Sequence, residues 1–378
     1  MRVIDHIKPF RVMQLLERAR ELEAQGRSII HMEVGEPDFP LPESLRRHAH
    51  EQLDSIHHGY TPSTGLPALQ QALADWYSKQ HACDCDPQRI LITPGTSAAF
   101  NMLYHVLLDA GSSVLLPDPG YPCQRNFVRL AGGQPIAVAV DAAQAYHLST
   151  ADIAQHWQQD TRAAVLINPS NPTGTVVHGE RIAGLASACA ERGGLLISDE
   201  IYHGLYDDVA PPSALSLHDR VIVVNGFSKR WAMTGWRVGW VIVPEALIEP
   251  CRRVMQNIFI AAPTLSQHLA IAALSLHDEL EEMRQAYNER RRFLLTALRQ
   301  LGFGIPIEPH GAFYIYADIS AFSNDADSFC HRMLEDHGVA ITPGTDFGDY
   351  RAKQHVRFSY ATALPQLQEG ISRLQSAL

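Results

Sequence analysis

Val221–Trp240 reads VIVVNGFSKRWAMTGWRVGW, and its first four residues form an unbroken apolar run. A run without polar alternation is the signature of a parallel strand covered on both faces. It stops at the turn pair Asn225-Gly226, and the loop beyond carries Ser228-Lys229, with Arg237 eight residues after the lysine. One lysine is thereby delivered to the carboxyl end of a buried strand, where open α/β sheets gather their ligands. Taken alone, a lysine after a strand is most often a solvated surface group. Beside a hydroxyl and a guanidinium, and partly out of water, it gains a lowered pKa and can bind an aldehyde.

Upstream the same pattern repeats. Arg89–Thr93, Ser113–Leu116, Ile136–Val140, Ala163–Ile167 and Gly194–Ser198 read as short apolar strands, each ending in turn-forming, polar or aromatic residues. Helical stretches separate several of them, among them one after Gly95 running to Leu108 and one from about His178 to Arg192. Alternating strand and helix predicts a mainly parallel sheet with its site along one edge, and Val238–Val243 adds a seventh strand. Beyond Val243 the pattern changes. Helices dominate from Glu245 to Leu301, including a charged segment, Glu279–Arg292, expected to face solvent. Gly302–Asp318 then reads as a strand pair opening a smaller α+β unit, with a further strand at Val356–Tyr360 and a closing helix at Pro365–Leu378.

Composition excludes several classes. With 378 residues, 46% hydrophobic and 19% charged, the chain is an ordinary globular one of about two domains. A net charge of −10 argues against nucleic acid as a partner. No apolar run approaches the roughly 18 residues of a membrane span, and the charged amino terminus does not resemble a signal peptide. Six cysteines are too few for a disulfide framework in a chain this long and suit a reducing, cytoplasmic setting. Cys83 and Cys85 stand one residue apart with no second Cys or His cluster, and no H-e-x-x-H helix occurs, so no metal is expected. Neither a P-loop nor a dinucleotide fingerprint is present.

The strand ends instead supply a set with one chemical meaning. Lys229 can bind an aldehyde, Asp199 can pair with a ring nitrogen, Tyr202 and Asn171 can hydrogen-bond a phenolic oxygen, and Tyr121 can stack on a flat ring. Gly95, Thr96 and Ser97 form a turn at a helix N-terminus, which favours phosphate, and Ser228 and Arg237 can add to it. An aldehyde, a phenol, a basic nitrogen and a phosphate on one ring describe pyridoxal 5'-phosphate.

The fragments VGEPDF (34–39), Tyr60 to Gly65, TPGTSAA (93–99), DPGYP (118–122), NPSNPTG (168–174), SDEIY (198–202), NGFSKRWAMTGWRVGW (225–240), HGAFYIY (310–316), PGTDFG (343–348) and HVRFSYA (355–361) occur in one order. On these the chain resembles the class I/II pyridoxal-phosphate aminotransferases of the aspartate aminotransferase superfamily, fold type I, over nearly its whole length. The resemblance implies a large cofactor-binding domain over 45–275 and a small domain from 1–44 with 276–378. It implies Lys229 as the Schiff-base lysine and proton shuttle, Asp199 at the pyridine nitrogen, and Tyr202 and Asn171 at the phenolic oxygen. Arg357 would grip the substrate α-carboxylate, with Asn171 and the Gly35 backbone assisting. Tyr60 would reach the phosphate of a neighbouring subunit, making a homodimer part of the site. Gly226 stands where some members carry a second phosphate-binding serine, which shifts weight onto Arg237.

The activity implied is transfer of an amino group from an L-amino acid to a 2-oxo acid by ping-pong half-reactions. A carbon–sulfur β-lyase would use the same lysine and aspartate. A non-enzymatic cofactor-binding regulator would need a fused DNA-binding module, which the early VIDHIKPF segment leaves no room for.

Overall fold

A computed structural model describes residues 3–378. A short strand β1 (Ile30–His31) precedes seven strands that make the main sheet: β2 (Ile90–Thr93), β3 (Ser113–Asp118), β4 (Gln134–Ala139), β5 (Thr161–Ile167), β6 (Leu195–Asp199), β7 (Val221–Gly226) and β8 (Gly239–Ile242). Their order is β2-β8-β7-β6-β5-β3-β4. The strands from β4 through β7 pair in parallel, while β8 runs antiparallel to both β7 and β2. The mainly parallel seven-stranded sheet expected from the apolar runs is present, with β8 as its one reversed strand.

The apolar runs have their cause in the two faces of this sheet. Val221 and Val223 of β7 point into one core layer and Ile222 and Val224 into the other. Ile90 and Ile92 likewise part from Leu91, because successive strand side chains alternate in direction. One layer is closed by helices Pro67–His81, Gly179–Ala190 and Thr264–Ala273, the other by Thr96–Leu107 and Glu245–Ile258. In β7 both faces are buried along the whole strand, which is why Val221–Val224 carry no polar side chain.

After helix Asp278–Leu301, strand β9 (Tyr314–Asp318) belongs to a second sheet. Helix Ala326–His337, β10 (Val339–Ala340), β11 (Thr342–Pro343), β12 (His355–Ser359) and helix Leu364–Ala377 follow. The second sheet runs β11-β12-β9, all antiparallel, and β1 pairs with β10 in parallel. The strand pair expected over 302–318 is one strand only. Gly304 meets Asp318 through an isolated bridge, because the intervening chain lies against other elements.

The charged segment 279–292 also departs from expectation. Arg290 and Arg291 are buried: Arg290 donates to Asp38 at 2.7 Å and lies over the Phe39 ring, and Arg291 meets Asp207 at 2.9 Å and the Pro309 carbonyl at 2.8 Å. Charge density along a helix records polarity, not the position of an acidic partner 252 residues away.

Candidate active site

Strand register brings the predicted residues to one edge. Ile167 lies beside Asp199, Asp199 beside Val224, Gly226 beside Gly239, and Gly239 beside Thr93. The residues that follow β2, β5, β6 and β7 therefore emerge together at the same end of the sheet.

Lys229 owes its position to its neighbours. Phe227 and Trp231 on either side are fully buried, their rings 4.7 Å apart, and the Trp231 indole donates to the Ala273 carbonyl at 3.0 Å. Two anchors that close leave the lysine no choice but the cavity. Its Nζ donates to the Gly35 carbonyl at 2.6 Å. Burial, aided by the guanidiniums of Arg357 and Arg237, lowers its pKa to about 8, with Glu36 and Asp199 pulling the other way. An amine so placed is deprotonated part of the time near neutrality.

Across the same cavity, Asp199 is buried, and burial pushes its carboxyl up to about 7 against the Ile201 N–H and the Lys229 charge. Ile201 N–H, at 3.2 Å, satisfies one oxygen only. A cationic ring N–H facing that carboxyl would restore its ionised form. Tyr202 and Asn171 are buried on the same wall, and Tyr121 lines it with a phenol that burial holds well above its usual range.

At the opposite end, Gly95 has φ +78° and precedes helix Thr96–Leu107. A Cβ there would collide with the Arg237 guanidinium, so only glycine lets the arginine lie over the helix N-terminus. Thr96 lines the cavity, Ser97 is exposed in the first turn, and Ser228 is buried beside Lys229. These N–H groups, hydroxyls and one exposed guanidinium suit a phosphate.

Arg357 in β12 is buried, and its Nε has no hydrogen-bond partner. Its Nη1 donates to Asn171 Oδ1 at 2.9 Å, its Nη2 reaches the Glu33 carbonyl, and its guanidinium lies between the rings of Tyr314 and Phe347, 4.2 and 4.7 Å from their centroids. The Gly35 carbonyl accepts from Lys229, and a Cβ at Gly35 would strike the Tyr314 hydroxyl.

Tyr60 stands apart from the others. It is 82% exposed and does not line the cavity. Five residues that do were not foreseen: Tyr314, whose hydroxyl lies 2.9 Å from that of Tyr202, Ile167 at the end of β5, Ile201 just beyond β6, and Phe10 and Val12 from the amino-terminal segment. HGAFYIY contained the signal for Tyr314, whereas nothing around Phe10 announces a site. All six cysteines are free, and among the described residues no group of three or more His, Cys, Asp or Glu could hold a metal ion.

Residues 27–374 match the family model described as aminotransferase class I and II. The chain is 35% identical over 376 residues to valine–pyruvate aminotransferase of Mycobacterium tuberculosis, spanning 98% of this chain and 97% of that one. It is 34% identical over 385 residues to aspartate aminotransferase of Pyrococcus abyssi, spanning 99% and 97%. The structure of Thermus thermophilus aspartate aminotransferase with maleate superposes with a TM-score of 0.95 at 31% identity, covering all of this chain and 99% of that one. The chain therefore belongs to the class I and II aminotransferases, of fold type I. It is a pyridoxal-phosphate-dependent transaminase acting between amino acids and 2-oxo acids.

Proposed function

We propose that Lys229, Asp199 and Arg357 divide the transamination between them, and that the observation carrying this reading is their arrangement around one buried cavity. Pyridoxal phosphate, when bound, supplies an aldehyde that captures an amino group and a pyridine ring that draws electrons away from Cα. The Lys229 amine would bind that aldehyde and, once displaced by substrate, carry the proton to and from Cα. A pKa near 8 lets the same nitrogen accept and return a proton. Asp199 would hold a proton on the pyridine nitrogen, and Tyr202 with Asn171 would donate to the phenolic oxygen. Gly95, Thr96, Ser97, Ser228 and Arg237 would hold the phosphate, and Tyr121 would cover the ring. Arg357 would take the α-carboxylate in its planar fork, with Asn171 and the backbone near Gly35 beside it.

We further propose a two-fold homodimer in which the exposed Tyr60 reaches the partner's phosphate site, and a division into 45–275 and 1–44 with 276–378. The seven-stranded sheet falls within the first unit and the three-stranded sheet within the second, which supports that boundary. Six unpaired thiols suit a cytoplasmic protein. Nothing in the site favours β-elimination over transfer, and relatives spanning the whole chain are named for transfer.

The test is spectroscopic. An L-amino acid added alone should bleach the cofactor's aldehyde band stoichiometrically, and a 2-oxo acid should restore it. Release of ammonia and pyruvate with no acceptor present would instead make the protein a lyase.

A further inference from the structure

With one end of the cavity given to the cofactor and the other to the α-carboxylate, the substrate side chain must face what remains. The apolar lining left over is Phe10, Val12, Ile167 and Ile201, and of these Phe10 and Val12 form the wall contributed by the amino-terminal segment, with the Tyr121 ring meeting Phe10 edge-on at 6.3 Å. The wall is held firmly in place. Asp346 accepts from the Arg11 and Val12 amides at 3.0 and 3.4 Å, capping the helix that starts at Arg11. Phe10 immediately precedes these two anchored amides.

Two of the arginines nearby are engaged elsewhere, and none of the cations around Phe10 outside the cavity lines it. Arg11 pairs with Asp327 and Thr345, away from the cavity. Arg125 meets Asp118 at 3.3 Å and donates to the Phe347 carbonyl at 3.0 Å, and Lys8 stands 3.9 Å from Asp349. Among the described residues, the cationic side chains that line the cavity are Lys229 and Arg357, both already assigned. Behind the wall sits an acid, Asp346. A second substrate carboxylate placed there would lose its hydration, find no counter-ion among this chain's own lining residues and face a like charge. An apolar side chain would exchange water for the Phe10 ring and the Val12 methyls.

We infer that the Phe10–Val12 wall selects substrates with uncharged, apolar side chains and disfavours dicarboxylic ones. The inference rests on the transaminase reading above. Because a ping-pong enzyme presents the same wall to donor and acceptor, it extends to the oxo acid: pyruvate over 2-oxoglutarate.

The experiment is a single-turnover panel on the holoenzyme, following loss of the cofactor band with L-leucine, L-phenylalanine, L-aspartate and L-glutamate. The expected kcat/KM for leucine or phenylalanine exceeds that for aspartate by at least about 100-fold. Aspartate or glutamate reacting as fast as leucine would overturn the inference while leaving the transaminase standing; no bleaching by any amino acid would sink the transaminase instead. Binding of unreactive acids provides a second readout: by calorimetry on the holoenzyme, 3-phenylpropanoate should bind at least about tenfold more tightly than succinate, and the reverse order would refute the wall. In Phe10→Arg the aspartate-to-phenylalanine ratio should rise about tenfold or more, and in Phe10→Ala the phenylalanine-to-alanine ratio should fall about tenfold. Ratios within one preparation do not depend on how much of it folds, so unchanged ratios in both variants would also refute the role of Phe10.

Discussion

The ring of Tyr314 lies under the guanidinium of Arg357, 4.2 Å from ring centroid to the central carbon, while its hydroxyl sits 2.9 Å from that of Tyr202. One side chain thus touches the residue proposed for the carboxylate and the residue proposed for the phenolic oxygen. The two contacts can be separated by mutation. Tyr314→Phe keeps the ring and should move the pH midpoint of the cofactor's absorption by up to about one unit, with a small effect on KM. Tyr314→Leu removes the ring as well and should raise KM for the amino donor about tenfold. If the two variants behave alike, Tyr314 does not link the two ends of the site.

Lys229→Ala tests the covalent anchor. Phe227 and Trp231 hold the loop from both sides, so the variant should keep its fold by circular dichroism. Turnover should fall by about a thousandfold or more, since both aldehyde binding and proton transfer lose their nitrogen. Normal turnover would remove the mechanism.

Asp199 makes stability depend on pH in the cofactor-free protein. Its carboxyl holds a proton up to about pH 7 when folded, whereas the unfolded chain releases it near 3.8, so the folded state binds the extra proton between these values. The contribution to stability is greatest at low pH and is lost as pH rises through that window. Asp199→Asn lacks this loss. Urea unfolding should therefore show the variant gaining about 1 to 3 kcal/mol on the wild type between pH 5 and pH 8. A constant difference across that range would mean that the carboxyl titrates normally.

Arg290 secures the loop that carries Gly35. It is buried, donates to Asp38 at 2.7 Å, and lies over Phe39 and Tyr287. Arg290→Ala should cost about 1 to 3 kcal/mol in thermal unfolding and raise KM, because the loop that accepts from Lys229 loosens. Unaltered KM with lowered stability would confine the pair to a structural role.

Tyr60 is testable by complementation. If it serves the partner's site, mixing Tyr60→Ala with Lys229→Ala protein should produce dimers holding one intact site, with activity above either parent. Sedimentation should show the dimer in all three samples. No recovery would place Tyr60 in its own subunit's site or in none.

The sheet and most of the site were legible in the chain because both depend on local chemistry. Doubly covered strands must be apolar throughout, as Val221–Val224 are, and their turns must carry glycine, proline and polar residues where ligands bind. Gly95 could be recognised because it stands in a strand-to-helix turn, where a helix N-terminus favours phosphate. Arg290 and Arg291 were misjudged because a helical charge pattern does not reveal an acid brought in from residue 38 or 207.

The sequence by itself determined which chemical groups the protein owns and which strand ends carry them: the lysine, the aspartate, the glycine turn and the arginine each sit in a motif readable in isolation. Only the tertiary structure decided that Phe10 and Val12 line the cavity and that Arg11 and Arg125 are engaged elsewhere. Those facts depend on where an amino-terminal helix docks, and Asp346, more than 330 residues away, sets that position through two backbone hydrogen bonds.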